Sequence, residues 1–457
     1  MKLKTSEYIY TSPITIKDKF KLIYSTRSGQ LLVIPKSYLS QKENKTSIDM
    51  NKLSKEYLFG LKDKSFLVPE NENEIETVVE NALQSAQDTE VLYKIISLSA
   101  NCQLACKYCG QSNYNKNISE NFYSSIEERI VNNLKTNQFK QLKIGWFGGE
   151  PLLAINTIKN FSEKFIVLAE KFNCSYEGMI TTNGYSLSLE NFKLLRKYKV
   201  NVFEVTIDGP KTTHDKRRNL KNGSGSFDKI ISNLKSIHQY CIENKENPTI
   251  NIRCNIDKEN QNDIEELITY LHDNKLFPLI RFYIAPIIDW GNDASKNSLS
   301  KKEFSQLHMN TIKHLKENDI KSVFPFFPTA PKLSLCTLTS EYGELFDVEG
   351  NIYKCTETSY VDAYQDKLFN IGSLKEPFKK YDHNLRKDWY AKILNGELKC
   401  STCKFYPLCG GGCPKSWMEG EPPCPSFVYN FEERLLTYFY MTRTDNQVSN
   451  KKQYYEA

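Results

Sequence analysis

Thirteen cysteines in 457 residues carry the most chemistry in this chain, and their spacing sorts most of them into two fields. Cys102, Cys106 and Cys109 read C-x-x-x-C-x-x-C directly after VLYKIISLSA, a run of apolar and β-branched residues suited to a buried strand. Three thiolates fall short of the four ligands of a structural zinc site. They can hold three irons of a [4Fe–4S] cluster and leave the fourth open to chelate a small molecule. The second field reads C-x2-C-x5-C-x3-C at Cys400, Cys403, Cys409 and Cys413, with Cys424 after it and Cys336 and Cys355 upstream. Cys174, Cys241 and Cys254 stand alone and read as small buried apolar residues. A zinc-stabilised, non-enzymatic interaction protein would account for part of the second field but not for the first.

Positioning such residues takes a scaffold, and residues 89–300 supply one. Strand-like LKIGWFG, YEGMITTNG, VNVFEVTIDG, PTINIRCNID and LIRFYIAPI follow VLYKIISLSA, with helix-like segments such as ENFYSSIEERIVNNLKTN between them. That alternation predicts a parallel α/β fold. Six repeats fit a partial (β/α)6 TIM-like barrel, with its reactive face at the C-terminal strand ends by analogy with full barrels. Polar residues collect at those ends: Gly148, Gly149 and Glu150 in GWFGGEP, Thr182 and Asn183 in ITTNG, Thr206 and Asp208 in VTIDGP, and Asn255 late in the fifth strand. Paired glycines let backbone approach a ligand closely, and a carboxylate beside backbone acceptors suits an ammonium group. His214, Asp215 and Arg218 follow in HDKRR, which reads equally as part of a site or as a helix cap with salt bridges. No P-loop, H-E-x-x-H or dinucleotide fingerprint is present.

Residues 1–88 form a first unit. KFKLIYSTRSGQLLVIP signals a hairpin about Gly29, and the helix-like NKLSKEYLFGLKDK follows. This small α+β pattern is compatible with a winged-helix-like peptide-recognition domain or with a plain extension. A bridging helix over 301–330, a cysteine-rich domain over 331–430 and a C-terminal helix and tail over 431–457 complete the expected order. Clusters in so small a cysteine-rich unit can stand in for a core. Lys and Arg number 61 against 55 Asp and Glu, a net +6 spread along the chain, so nucleic acid is not implied. With no signal-like N-terminus and no run of 18 apolar residues, a cytoplasmic protein without a membrane span is expected. Cysteines in that compartment point to metal or redox chemistry rather than disulfides.

The first field, with Tyr108 between two of its cysteines, resembles the signature of radical S-adenosylmethionine (SAM) enzymes. The second resembles a SPASM domain, and the chain is similar to peptide-modifying maturases and anaerobic sulfatase maturases over roughly residues 90–430. The resemblance implies that Cys102, Cys106 and Cys109 hold a SAM-binding [4Fe–4S] cluster, and that Gly148, Gly149 and Glu150 take the amino group of SAM. Tyr108 would lie near its adenine, and Thr182, Asn183, Thr206, Asp208 and Asn255 could line its carboxylate and ribose. It implies auxiliary [4Fe–4S] clusters on Cys336, Cys355 and Cys413, and on Cys400, Cys403, Cys409 and Cys424. Reductive cleavage of SAM would give a 5′-deoxyadenosyl radical that takes hydrogen from a carbon of a peptide. The partners implied are a precursor peptide and an external one-electron reductant of flavodoxin or ferredoxin type. Sulfatase maturases carry a cysteine shortly before the position of Cys336, where PFFPTAPKLSL has none, so the first auxiliary cluster would lack a fourth thiolate. They also place an aspartate directly after the cysteine matching Cys355, as the expected base. Here Thr356 stands there, with Glu357 one position on, and no catalytic base is assigned. The expected function is therefore peptide maturation through a thioether or carbon–carbon cross-link, with formylglycine formation the alternative enzyme reading.

Overall fold

The computed structural model describes residues 2–42, 45–85, 87, 90–277, 279–288, 292–333, 336–364, 369–377 and 385–448. It divides into two compact units, one of Asp88–Phe324 with Cys336–His383, the other of Met1–Gln87 with Pro325–Leu335 and Asn384–Ala457.

The first unit contains all six expected strands: β1 (Val91–Ser99), β2 (Gln141–Gly148), β3 (Ser175–Thr182), β4 (Val200–Thr206), β5 (Thr249–Ile256) and β6 (Ile280–Pro286). They lie in sequence order, every neighbouring pair parallel. Among the described residues these α-helices accompany them: α1 (Tyr123–Thr136), α2 (Ile155–Lys171), α3 (Leu189–Lys197), α4 (Lys211–Arg217), α5 (Phe227–Asn244), α6 (Ile264–Asp273) and α7 (Lys301–Glu317). Residue spacing explains how these layers join. Ile158, Phe161, Phe165 and Leu168 recur every three or four residues on α2 and are buried, as are the alternating Leu142, Ile144 and Trp146 of β2. Ser188 caps α3, and Ser300 and Glu303 form a capping box on α7. On β5, Ile250, Ile252, Cys254 and Ile256 are fully buried. The period of two therefore sends Asn251, Arg253 and Asn255 to the opposite, concave face.

The sheet continues beyond β1, which the sequence did not reveal. β7 (Glu344–Phe346) pairs with β1 in parallel, and β8 (Asn351–Tyr353) and β9 (Asn370–Ser373) follow antiparallel. Glu344 fastens this extension. Its carboxylate accepts from Lys94 Nζ of β1 at 2.6 Å and Arg129 Nη2 of α1 at 2.7 Å.

In the other unit, the strands Ile9–Ile16, Phe20–Ser25 and Gln30–Pro35 form an antiparallel sheet whose second turn is the expected hairpin at Gly29. Helix Lys55–Asp63 follows, as the sequence suggested, and then helix Glu74–Ser85. The core of this unit joins both ends of the chain. Tyr8, Val78, Val79 and Ala82 pack with Trp389, Tyr390, Ile393 and Tyr406, and Tyr24 packs with Phe327, Phe431 and Leu435. The expected cysteine-rich stretch 331–430 is thus shared, residues 336–383 belonging with the parallel sheet and 384–430 with the chain termini.

Candidate active site

Cys102, Cys106 and Cys109 lie in the loop between β1 and α1, Cys102 and Cys106 half-buried and Cys109 exposed. At its start, Gly149 N–H donates to Ser99 O at 2.7 Å and Glu150 N–H to Asn101 O at 2.9 Å. A Cβ on Gly149 would stand 2.6 Å from Asn101 O, and Gly148 adopts φ +125 with its Cβ position 2.4 Å from Ser99 O. The glycine pair therefore makes a close approach to the cysteine loop itself. Midway, Ala105 N–H donates to Asn219 O, Lys107 N–H to Arg217 O, and Leu104 bridges Leu220. Beyond Cys109, Ser112 N–H donates to Tyr360 O and Gln111 bridges Val361.

The thiols lie close enough to perturb one another. Burial, opposed by the Arg218 guanidinium and helped by Cys109 and Cys102, pushes the Cys106 thiol up to about 12. Burial likewise raises Cys102. Metal binding here would release protons. Among the described residues, no three His, Cys, Asp or Glu side chains converge as a single-ion site would require. A cuboidal cluster separates its thiolates more widely than one ion does.

Two polar networks flank the loop. Glu150 is fully buried, and its carboxylate accepts from Leu152 N–H at 3.0 Å, Thr182 Oγ1 at 2.7 Å and Asn183 N–H at 2.8 Å. Burial raises its pKa against those three hydrogen bonds. The carboxylate is thus occupied by the protein, while Asn183 Nδ2 reaches Cys102 Sγ at 3.5 Å. The second network centres on Tyr108. Its hydroxyl donates to Asp208, accepts from Arg218, and accepts from Asn255 Nδ2 at 3.0 Å. Arg217 lies over the ring, 5.4 Å from its centroid. Asp208 also accepts from Asn255 N–H at 2.9 Å. Thr206 ends β4 nearby and is buried. The structure thus brings Tyr108, Asp208 and Asn255 together, and Glu150, Thr182 and Asn183 together.

The HDKRR segment supports this arrangement from behind. His214 is fully buried, accepts from Asp208 N–H on Nδ1 at 3.2 Å and meets Ser226 Oγ through Nε2 at 3.0 Å. Because Ser226 Oγ donates to Arg218 O, the imidazole holds its proton on Nε2. Burial and the two arginines keep it neutral, its pKa well below the ordinary value. Asp215 accepts from Ser226 and Phe227 N–H groups, as a helix cap does. Arg218 and Gln103 were not singled out as ligand-contacting groups, yet Arg218 Nε and Gln103 Oε1 are buried without a hydrogen-bond partner among the described residues. The concave-face residues Arg253, Glu204 and Tyr283 were also missed. The alternation of NIRCNI was the signal for Arg253.

The terminal unit gathers four thiols of its own. Cys400 is raised to about 12 by burial and then by Cys409, Cys403 and Cys424, and Cys409 to about 12 by burial and by Cys403 and Cys424. The turn after Cys409 runs through three glycines with positive φ, and a Cβ on Gly411 would press on Trp389 at 3.0 Å. Cys336 and Cys355 belong to the sheet unit and Cys413 to the terminal unit.

Residues 96–271 match the model of the radical SAM superfamily. The chain is 24% identical over 377 residues to a cysteine-type anaerobic sulfatase-maturating enzyme of Clostridium novyi, across 76% of this chain and 96% of that protein. It is 27% identical to the radical SAM cyclopropyl synthase TigE of Paramaledivibacter caminithermalis, across 39% and 40% of the two chains. The crystal structure of anSMEcpe with bound AdoMet superposes with a TM-score of 0.57 at 20% identity, across 79% of this chain and 96% of that one. With the six-stranded parallel sheet and its cysteine loop, these findings place a radical SAM domain at residues 96–271, in an enzyme with an iron–sulfur cluster and SAM as its cofactors. Its similarity to an anaerobic sulfatase-maturating enzyme along most of its length sets aside the non-enzymatic zinc reading. Among the described residues no helix is long and apolar enough to cross a membrane.

Proposed function

We propose that this enzyme matures a ribosomally made precursor peptide by installing a cross-link. The observation that carries the reading is Thr356, which directly follows Cys355 where the resemblance leads one to expect the sulfatase maturases' aspartate base. A threonine hydroxyl cannot serve as a base at neutral pH. Glu357, one position on, is among the groups whose charge favours the charged form of the Arg253 guanidinium, after Tyr283 and ahead of Glu204.

Cys102, Cys106 and Cys109 would hold the cluster, and the donor set fits it. When bound, the cluster and SAM supply the hydrogen-abstracting radical chemistry of the superfamily. The chain's own residues bind and orient. The unpartnered Arg218 Nε is a donor for a carboxylate and Gln103 Oε1 an acceptor for an ammonium, the two ends of an amino-acid moiety such as that of SAM. Glu150, already engaged, orders the turn whose backbone would face the ammonium. Cys400, Cys403, Cys409 and Cys424 would hold an auxiliary cluster, and residues 1–88 would read the peptide's leader. A flavodoxin- or ferredoxin-type protein would deliver the electron. The test is anaerobic reaction of the reconstituted enzyme with a candidate short peptide, followed by mass spectrometry. A product lighter by two hydrogen atoms that carries no aldehyde and whose fragmentation stops between two joined residues supports the cross-link. An aldehyde at a former cysteine or serine would replace this reading with that of a sulfatase maturase.

A further inference from the structure

The carboxamide of Asn183 points at a cysteine sulfur, and the hydrogen bonds around it fix that orientation. Asn183 directly follows β3 and is 5% exposed. Its Nδ2 donates to Cys102 Sγ at 3.5 Å. Its Oδ1 accepts from Tyr185 N–H at 2.9 Å, as in an Asx turn, and from Gln103 Nε2 at 3.4 Å. A backbone N–H can only donate, so the atom it meets is the amide oxygen and the NH2 group must face the sulfur.

The turn that sets the amide is itself held from several sides. Asn183 N–H donates to the buried Glu150 carboxylate at 2.8 Å. Asn233 of α5, also buried, donates through Nδ2 to Gly184 O at 3.0 Å and to Tyr185 O at 2.9 Å. Gln103, next to Cys102 in the cysteine loop, reaches Ser186 Oγ at 3.3 Å as well as Asn183 Oδ1. Strand end, helix and loop therefore agree on one position for a buried amide whose NH2 group meets a thiol.

The turn uses only the oxygen of this side chain. A serine or an aspartate would offer the same acceptor to Tyr185 N–H. What asparagine adds is the donor to Cys102. Hydrogen bonds to ligand sulfurs help set the potential of an iron–sulfur cluster, because a donor stabilises the more negative, reduced form. We propose that Asn183 is a tuning residue whose side-chain N–H, donated to Cys102 Sγ, raises the reduction potential of the SAM-binding cluster. This rests on the reading that Cys102, Cys106 and Cys109 hold that cluster, and it gives the amide a role that does not need SAM to be bound.

The experiment is an EPR-monitored redox titration of the reconstituted enzyme without SAM. The SAM-binding cluster is recognised beforehand by the change in its signal when SAM is added to a separate sample. Asn183→Ser and Asn183→Ala both delete the donor, and serine still offers an acceptor to Tyr185 N–H. Both should move the midpoint negative by similar amounts at unchanged iron content. Lys211→Ala, which removes an exposed ion pair elsewhere in the unit, should leave it in place. Asn183→Ser decides. A midpoint that stays put or moves positive in that variant overturns the proposal, and a shift confined to Asn183→Ala would make Asn183 a turn former alone. Loss of the cluster from Asn183→Ser also overturns it, since one hydrogen bond tunes a cluster without holding it. A SAM-responsive signal that survives in the Cys102, Cys106, Cys109 triple alanine variant overturns the underlying reading instead.

Discussion

Replacing Glu344 by glutamine should loosen the edge of the sheet that leads to Cys355. Glu344 is 9% exposed and faces two cations, Lys94 and Arg129, themselves 1% and 5% exposed. Burial alone would raise its pKa, but Lys94, Arg129 and Lys354 pull it from the ordinary 4.5 down to about 2. That gap corresponds to about 3 kcal/mol. It agrees with the ~3–5 kcal/mol lost when one partner of a buried pair is removed. Glutamine keeps the shape and accepting oxygen but leaves two buried cations uncompensated. Because the folded pKa is depressed, the contribution is complete above the unfolded value and is lost as pH falls from 4.5 towards 2. At neutral pH, native-state hydrogen exchange is the direct assay. About 3 kcal/mol of local destabilisation should speed exchange of the β7 and β8 amides by about a hundredfold. Replacing Glu344, Lys94 and Arg129 together by leucine or methionine should restore most of the protection, since an apolar cluster of similar volume avoids the desolvation cost. Wild-type exchange rates in Glu344→Gln would refute the argument.

Other changes probe the site. Tyr108→Phe strips a hydroxyl from three partners and leaves Asp208 and Arg218 under-satisfied, a cost of about 1–3 kcal/mol. Anaerobic equilibrium dialysis should show weaker SAM binding, and an unchanged affinity would separate this network from the cofactor site. Gly149→Ala drives a methyl group against Asn101 O, and reconstituted protein should lose about four irons per chain together with its SAM-responsive signal. Cys424→Ser should also lose about four irons but keep that signal, because its thiol groups with Cys400, Cys403 and Cys409. Survival of full iron content in Cys424→Ser would break the assignment of those four.

The parallel core was legible because each strand and helix carries its own period. NIRCNI alternates, α2 repeats every three or four residues, and SLS and NSLS supply caps where helices begin. The cysteine loop was legible by spacing alone. What stayed hidden depended on contacts between residues distant in sequence. GELF is too short and too apolar to announce a strand that extends a sheet begun 250 residues earlier. Glu150 read as a group awaiting a ligand, but the backbone after β3 returns to satisfy it. Tyr108 read as an aromatic surface, yet its hydroxyl organises the ends of β4 and β5. Polar atoms of this kind take their roles from partners that tertiary structure supplies.

The same reasoning changes how the N-terminal residues must be tested. A separate recognition domain should come away without harm to the rest, and residues 1–88 look separable in sequence. In the structure, Tyr8, Val78, Val79 and Ala82 share one core with Cys400, Trp389, Tyr390 and Tyr406, and Glu432 accepts hydrogen bonds from Tyr10 and Ser12. Cutting the chain at residue 88 would expose that core, about 1.5–3 kcal/mol for each large apolar side chain stripped of cover. It would do so around the four thiols assigned to an auxiliary cluster. Loss of that cluster's iron is the expected result of the truncation, so weaker peptide binding in a truncated enzyme would say nothing about leader recognition. Point changes at exposed residues of this unit, such as Ile14 and Gln30, keep the core intact and separate the two effects. Peptide affinity that falls while iron content holds would assign recognition to these residues. Affinity that tracks iron content would make them structural support for the cluster.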